Sequence, residues 1–200
     1  MPPRQKFTKE EVITASLNLV RHDGMAGVTA RALGTELGSS SRPIFTVFKN
    51  MDEVQRETIS AAKAVYNGYV KRGLSQNPAF KGVGMEYIRF AKEEPKLFQL
   101  LFMTSKGAAQ DLENVLSSIE ENSSSISAVI SDLYGEKCGL TREQCYKLYQ
   151  YMWIFTHGIA ALLATEVCDF TEAEVGSMLT EAFTGILSQQ ITTNGEKNND

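Results

Sequence analysis

The sequence predicts an all-α protein in two parts, a small N-terminal head of three short helices and a larger C-terminal helical domain. Apolar residues recur at helical spacing along almost the whole chain, and the segments they define begin at Thr or Asn caps. No stretch of alternating apolar and polar residues bounded by turns predicts a strand. The pattern indicates about nine helices in all.

The N-terminal head is predicted to span residues 1–52, and caps and turns in the sequence define its helices. Thr8 and Glu11 form a capping box at the start of the first helix. Thr29 caps the second helix, which ends at Gly38, and Pro43 lies in the first turn of the third, where its missing N–H costs nothing. The three helices are predicted at residues 8–24, 30–37 and 41–47.

The C-terminal domain begins with a long helix, for which Asn50 and Glu53 supply a capping box. Thr171 and Glu174 cap the last helix in the same way. The six helices are predicted at residues 51–72, 80–93, 95–103, 108–134, 142–166 and 171–192, in a domain spanning 53–192. Residues 193–200, rich in Asn, Gly, Glu and Lys, are predicted to form a disordered tail.

The charges are distributed unevenly between the two parts. Residues 1–52 hold seven Lys and Arg against five Asp and Glu, whereas the other 148 residues hold 13 against 19. The chain as a whole carries a net charge of −4. A basic head on an acidic body is typical of a protein that meets phosphate with one end only.

The cysteines and the apolar segments indicate a cytoplasmic protein. The three cysteines have no C-x-x-C spacing, and charged residues occupy the place where a secretory signal would start. The most apolar stretch, residues 151–164, is interrupted by His157 and Gly158 and is shorter than the roughly 20 residues that span a bilayer. We expect a buried helix there.

Two short helices joined by a tight turn and flanked by further helices are the outline of a helix-turn-helix, whose second helix enters the DNA major groove. Ile44 and Phe48 are expected to pack inward, and Arg42 is placed to contact a guanine with two hydrogen bonds. Lys49 and the helix start at Thr29 suit phosphates. The candidate DNA-binding residues are Thr29, Arg31, Ser40, Ser41, Arg42, Pro43, Thr46 and Lys49.

The stretches VTARALGTELG at 28–38 and SRPIFTVFKNMDEV at 41–54 resemble the DNA-binding region of the TetR family of transcriptional regulators. Members commonly show a Thr-opened second helix, a Leu-Gly turn and a Phe-Lys-Asn-Lys-Asp-Glu-Leu segment after the recognition helix. The resemblance covers about residues 8–55 and implies a DNA-binding domain at about 6–66, with the helix-turn-helix at about 29–48.

The sequence departs from the family pattern at three positions. Phe45 stands where a Tyr hydroxyl usually meets a phosphate, Val47 where His is frequent, and Met51 where a phosphate-binding Lys is usual. Lys49 is then expected to carry more of the phosphate binding. The N-terminal arm with Arg4 and Lys6 either reaches an adjacent minor groove or is a solvated tail.

The resemblance implies that the C-terminal domain binds a small-molecule effector. Pro95-Lys96-Leu97-Phe98 resembles the start of the family's sixth helix, and Trp153 with His157-Gly158 resembles a Trp…His-Gly element of some members. The candidate pocket residues are Phe98, Leu101, Phe102, Tyr149, Met152, Trp153 and His157. Their composition favours an apolar or aromatic effector, and plain core packing is the alternative.

The helix predicted at 142–166 is apolar on nearly every side and must be covered on every side. With the last helix, it suits a four-helix bundle formed by two chains, and burial within one chain is the alternative. A two-fold dimer would present two reading helices to a palindromic site. The candidate interface residues are Ile159, Leu163, Val175, Met178, Leu179, Ala182, Phe183 and Ile186.

Together these features predict a DNA-binding transcriptional regulator, a homodimeric repressor released from its palindromic operator by the effector. Activation is an alternative to repression, because the effect on transcription depends on where the operator lies relative to a promoter. The alternative is a helical protein-interaction adaptor that does not bind DNA. No catalytic role, cofactor or metal is expected, since the chain has two histidines and no metal-ligand spacing or phosphate-binding glycine loop.

Overall fold

The computed structural model describes residues 6–104, 107, 111–119, 130–135 and 138–197. Within these residues the protein has eight α-helices and no strand, so the predicted all-α class is confirmed. The helices are α1 (Lys9–Asp23), α2 (Ala30–Glu36), α3 (Met51–Leu74), α4 (Ala79–Glu93), α5 (Pro95–Phe102), α6 (Leu112–Ile119), α7 (Arg142–Ala164) and α8 (Glu172–Lys197). Short 3-10 helices lie at Met25–Gly27 and Arg42–Thr46, and a π-helical turn lies at Ser131–Gly135.

The chain forms two compact units, and α3 contributes to both. The first unit comprises Met1–Asn67 and Glu94–Thr104, and the second comprises Gly68–Glu93 and Ser105–Asp200. This division follows from which residues contact one another. The predicted boundary after residue 52 divides the chain by function, and it stays a prediction.

The first unit is assembled from α1, α2, the 3-10 segments, the first part of α3 and α5. The predicted capping box at the start of α1 is confirmed, since Thr8 Oγ1 accepts from the Glu11 N–H at 3.2 Å and Glu11 Oε2 accepts from the Thr8 N–H at 2.8 Å. Helix α1 buries Val12 and Val20 and packs against α2 and α5. Arg21 holds the residue before α5 in place through a forked ion pair with Glu94 at 2.9 Å.

The second unit is built mainly on α4, α7 and α8, which pack against one another. The predicted Thr171 cap of α8 is confirmed, because Thr171 Oγ1 accepts from the Glu174 N–H at 3.2 Å. Helix α4 buries the carboxylate of Glu86, which is only 1% exposed. Arg89 contacts that carboxylate at 2.6 Å and Arg72 at 3.0 Å, so the buried charge is compensated on two sides.

Two elements differ from the sequence prediction in type or length. The third short helix is a 3-10 helix at Arg42–Thr46, because a five-residue segment is too short to gain from the α-helical hydrogen-bond pattern. Helix α8 continues to Lys197, into the segment predicted to be a disordered tail. Adding residues to a helix that already exists costs little, which accounts for the extra turn.

Thirteen of the 27 residues of the predicted helix at 108–134 lie outside the described residues. Its described parts are α6 and the π-helical turn at Ser131–Gly135. No helix in the described part of the chain is long and apolar enough to cross a membrane.

Candidate nucleic-acid interface

The turn between α2 and the next segment is held against α2 by a glycine. A Cβ atom on Gly34 would lie 2.9 Å from the Ser41 nitrogen and 3.0 Å from the Ser39 oxygen, so only glycine lets the turn pass this closely. The Ser39 N–H donates to the Gly34 carbonyl at 2.8 Å. Gly38 within the turn has a φ of 60°, which glycine adopts without strain. Two glycines therefore fix where the following segment begins.

The segment Arg42–Thr46, which we call the reading segment, has one buried and one exposed side. A 3-10 helix has three residues per turn, so side chains three apart lie above one another. Ile44 is fully buried, with Ser41 and Val47 half-buried on its side. Arg42 and Phe45 are both exposed and share another side. The segment therefore presents a cation and an aromatic ring to solvent together.

All eight predicted DNA-binding residues retain accessible surface in the chain. Six are exposed, namely Thr29, Arg31, Ser40, Arg42, Thr46 and Lys49. Ser41 and Pro43 are half-buried. The Thr29 side chain caps α2 by accepting from the Ala32 N–H at 3.1 Å, as its sequence position predicted. Whether these residues bind DNA stays a prediction.

The residues after the reading segment are fixed by Glu53. Its carboxylate accepts from the Lys49 N–H at 2.7 Å and pairs with Lys9 at 3.0 Å. The backbone N–H of Lys49, and then Lys9, lower the pKa of Glu53 below its ordinary value. The Glu53 N–H donates to Asn50 Oδ1 at 2.9 Å, which is one half of the predicted capping box. The other half differs, because the Glu53 carboxylate accepts from the N–H of Lys49, one residue before Asn50.

The N-terminal arm is described from Lys6 onward, and Arg4 lies outside the described residues. Lys6 Nζ donates to Ser39 Oγ at 2.8 Å. A lysine ammonium is thereby placed at the turn that precedes the reading segment.

The predicted DNA-binding residues do not include Phe45, although the resemblance places it where a Tyr hydroxyl usually meets a phosphate. Its side chain is 44% exposed, whereas Ile44 and Phe48 occupy the core positions beside it. The absence of a hydroxyl on Phe45 is the reason that no DNA contact is predicted for it. A period of three residues, suggested by the short length between Gly38 and Asn50, places it beside Arg42.

Residues predicted for an effector pocket occur in both units. In the first unit Phe102 packs against Phe98 and Tyr66, with ring centroids 5.0 and 5.1 Å apart, and Leu101 is buried. In the second unit Tyr149 and Met152 are buried. The structure thus brings Phe98 and Phe102 together within the first unit.

Trp153 and His157 form a polar cluster with Tyr87 in the second unit. The indole and imidazole rings stack with centroids 4.8 Å apart and planes 9° apart. The Tyr87 hydroxyl lies 2.9 Å from His157 Nδ1, and burial lowers the pKa of His157. Trp153 Nε1 is buried and has no hydrogen-bond partner among the described residues. A buried N–H without a hydrogen-bond partner lowers the stability of a fold by about 1–3 kcal/mol. A ligand that brings a hydrogen-bond acceptor to Trp153 Nε1 would remove this cost.

A separate cavity of about 290 Å³ lies in the second unit. It is lined by Met85, Ile88, Arg89, Lys92, Glu93, Leu163, Phe170, Glu172 and Val175. Two cations and two carboxylates stand around an otherwise apolar lining, so the lining as a whole favours neither sign of charge. None of the predicted pocket residues lines this cavity. The part of the chain that is described holds no group of three or more metal-ligating side chains.

Four residues predicted for the dimer interface are buried within their own chain. These are Ile159, Leu163, Val175 and Leu179, and the other four, Met178, Ala182, Phe183 and Ile186, are half-buried. A different face of α7 is exposed and carries Tyr151, Ile154, Phe155 and Leu162. These four side chains fall within roughly 100° of arc, because an α-helix turns once every 3.6 residues.

The chain is similar in structure to a known protein. No protein-family model matches the sequence, and no curated protein matches it. The structure is similar to the crystal structure of a protein assigned to the TetR family of transcriptional regulators, from Mesorhizobium loti MAFF303099. The TM-score is 0.58 at 15% sequence identity, and the match covers 90% of this chain and 95% of that chain. The chain therefore has the all-helical fold of that TetR-family regulator.

Proposed function

We propose that this chain is a sequence-specific DNA-binding transcriptional regulator, a homodimeric repressor that leaves a palindromic operator when a small-molecule effector binds. The observation that carries the proposal is the reading segment. Its Ile44 side is anchored in the core while Arg42 stands exposed on another side, after a turn that only glycine permits at position 34. An anchored short helix with an exposed arginine suits the major groove, where arginine forms two hydrogen bonds with guanine.

The surroundings of the reading segment suit the DNA backbone. Lys49 follows it, Lys6 lies at the turn before it, and Arg31 is exposed on α2. Hydrogen bonds and charge contacts of this kind set the register of a protein on the duplex without reading its sequence. Each phosphate neutralised also releases counterions, so binding is expected to weaken steeply with salt.

The adaptor alternative is less consistent with this surface. A protein-binding groove of apolar character would be nearly indifferent to salt. The predicted DNA-binding residues instead combine four hydroxyl side chains, three of them exposed, with two arginines and a lysine, and Phe45 is an exposed large apolar side chain beside them. We therefore favour DNA as the partner, with no catalytic role.

The exposed apolar face of α7 supports a dimer. Tyr151, Ile154, Phe155 and Leu162 form a continuous face, and faces of this kind mark interaction sites more often than scattered apolar residues do. Covering it with α7 and α8 of a second copy gives a four-helix bundle. The two reading segments of such a dimer would meet half-sites about one DNA turn, roughly 34–36 Å, apart.

Two places in the second unit support the proposed effector binding. One is the cluster of Trp153, His157 and Tyr87, where the buried indole N–H has no hydrogen-bond partner in the part of the chain that the structure describes. The other is the cavity of about 290 Å³. The cluster suits a planar, largely apolar molecule with a hydrogen-bond acceptor. Such a molecule releases DNA only if it binds one conformation of the dimer better than the DNA-binding one.

The test is selection of bound duplexes from a random DNA pool by wild type, Arg42→Ala and Arg56→Ala. Arg56 is an exposed arginine of α3 that is not among the predicted DNA-binding residues, so it is the matched control. Wild type and Arg56→Ala are expected to enrich one palindrome, and Arg42→Ala to lose it or to relax its guanine position. No enrichment at low salt by a folded dimer would contradict the proposal and favour the adaptor.

A further inference from the structure

We propose that Phe45 determines specificity by contacting the methyl group of a thymine close to the guanine that Arg42 reads. This inference rests on the proposed DNA-binding function and adds a second position to the half-site. It concerns a side chain that carries no donor or acceptor, so the contact must be apolar.

The geometry places Phe45 beside Arg42. The two residues are three apart in a 3-10 helix, so their side chains lie on the same side, about 6 Å apart along the axis. Successive bases on a DNA strand are about 3.4 Å apart. A segment that brings Arg42 to a base edge therefore brings Phe45 within about two base pairs of it.

The burial pattern fixes this orientation. Ile44 and Phe48 are 0% and 3% exposed and take the core positions on either side of Phe45. The Thr46 hydroxyl donates to the Pro43 carbonyl at 2.7 Å, which closes the turn that carries the ring. Phe45 cannot turn inward without displacing one of these neighbours. Among the described residues of the first unit, the other exposed large apolar side chains are Ile59 and Met103, and they lie outside the predicted helix-turn-helix.

The chemistry selects thymine. The base edges in the major groove present hydrogen-bonding groups, and the only apolar group among them is the thymine C5-methyl. A phenylalanine ring that loses water against a polar edge gains nothing, whereas against a methyl group both surfaces leave water favourably. A phosphate contact through a hydroxyl is impossible for Phe45. The ring therefore favours thymine at the position it covers.

The experiment uses the duplex selected by wild type and replaces its thymines one at a time with deoxyuridine, which lacks only the methyl group. At one thymine near the guanine, affinity measured by fluorescence anisotropy is expected to fall about fourfold per half-site, the amount for one buried methyl-sized group. Replacement in both half-sites is expected to lower it about fifteenfold. A cytosine there should bind more weakly than 5-methylcytosine, which restores the methyl.

Variants of Phe45 separate this contact from other uses of the same thymine. Phe45→Ala should bind the thymine and deoxyuridine duplexes equally, and Phe45→Tyr, which keeps the ring, should still prefer thymine. Thermal unfolding checks that both variants are folded. Deoxyuridine tolerated at every position by wild type, or discrimination that survives in Phe45→Ala, would overturn the inference while leaving DNA binding intact. A wild type that selects no duplex would overturn the proposed function together with the inference.

Discussion

The Ser16 hydroxyl lies 2.7 Å from the Thr58 hydroxyl, and both side chains are fully buried between α1 and α3. Thr58 donates its own proton to the Val54 carbonyl at 2.7 Å. Since a hydroxyl has one proton, Ser16 must be the donor to Thr58. This bond joins α1 and α3, the helices that precede and follow α2 and the reading segment in the sequence. The two bonded residues are 42 positions apart along the chain.

The direction of that bond predicts unequal effects of two conservative substitutions. Thr58→Val leaves the Ser16 donor buried without its acceptor and should destabilise by about 1–3 kcal/mol. Ser16→Ala removes the donor, leaves Thr58 bonded to Val54, and should cost about 0.5–1.5 kcal/mol. Urea unfolding of both variants and of the double variant measures the difference. Equal losses, or a larger loss for Ser16→Ala, would contradict the assigned direction.

Gly34 is predicted to be required for DNA binding as well as for stability. An added methyl in Gly34→Ala would meet backbone atoms of the turn at about 3 Å, so the turn must shift and carry the reading segment with it. Gly68→Ala in α3 is the control, because nothing lies within 4 Å of its added Cβ.

We expect Gly34→Ala to lower both the melting temperature and duplex affinity. Gly68→Ala should gain up to about 1 kcal/mol, since alanine is the better helix former. A Gly34→Ala protein that binds the selected duplex like wild type would show that the close approach at this turn is unimportant.

His157 is predicted to make the protein less stable in mild acid. Burial lowers its pKa in the folded protein below 6.5, so the unfolded chain binds a proton first as pH falls. The stability contributed by neutral His157 is therefore complete above about pH 6.5 and is lost as pH falls through the folded pKa. Melting temperature is measured against pH for wild type, His157→Gln and the exposed control His22→Gln. The slope between pH 7 and 5 should flatten in His157→Gln alone, and an unchanged slope in that variant would refute the assignment.

The exposed face of α7 is predicted to hold the dimer together. Ile154 is 52% exposed in the single chain, so Ile154→Glu should fold normally. In an apolar interface its unpaired carboxylate should weaken association by about 3 kcal/mol, or roughly a hundredfold. Val167→Glu, at a residue 69% exposed and beyond the end of α7, is the control. Sedimentation equilibrium measures both variants, and a dimer unaffected by Ile154→Glu would place the interface elsewhere.

Local signals predicted the helices well because caps act within a few residues. The Thr8–Glu11 box and the Thr29 cap are present with their expected hydrogen bonds. The sequence does not predict that Phe45 and Arg42 share one side, because a five-residue segment gives too few residues to distinguish a period of 3.0 from one of 3.6.

Apolar periodicity also does not say what covers an apolar face. Ile159 and Leu163 on α7 are buried by their own chain, whereas Ile154 and Leu162 on the same helix are exposed. Both pairs look alike in the sequence. Likewise, the cavity brings Phe170, after α7, together with residues of α4, a proximity that depends on tertiary packing and leaves no local pattern.

The ratio of two affinities tests whether Arg42 and the reading segment recognise DNA sequence. Binding of the selected duplex is compared with binding of a duplex whose half-sites are scrambled, at one fixed salt concentration, for wild type and Arg42→Ala. We predict that wild type prefers the selected duplex by about a thousandfold or more, and that Arg42→Ala lowers this preference roughly tenfold or further. A folded, dimeric wild type that binds the two duplexes equally would contradict this recognition.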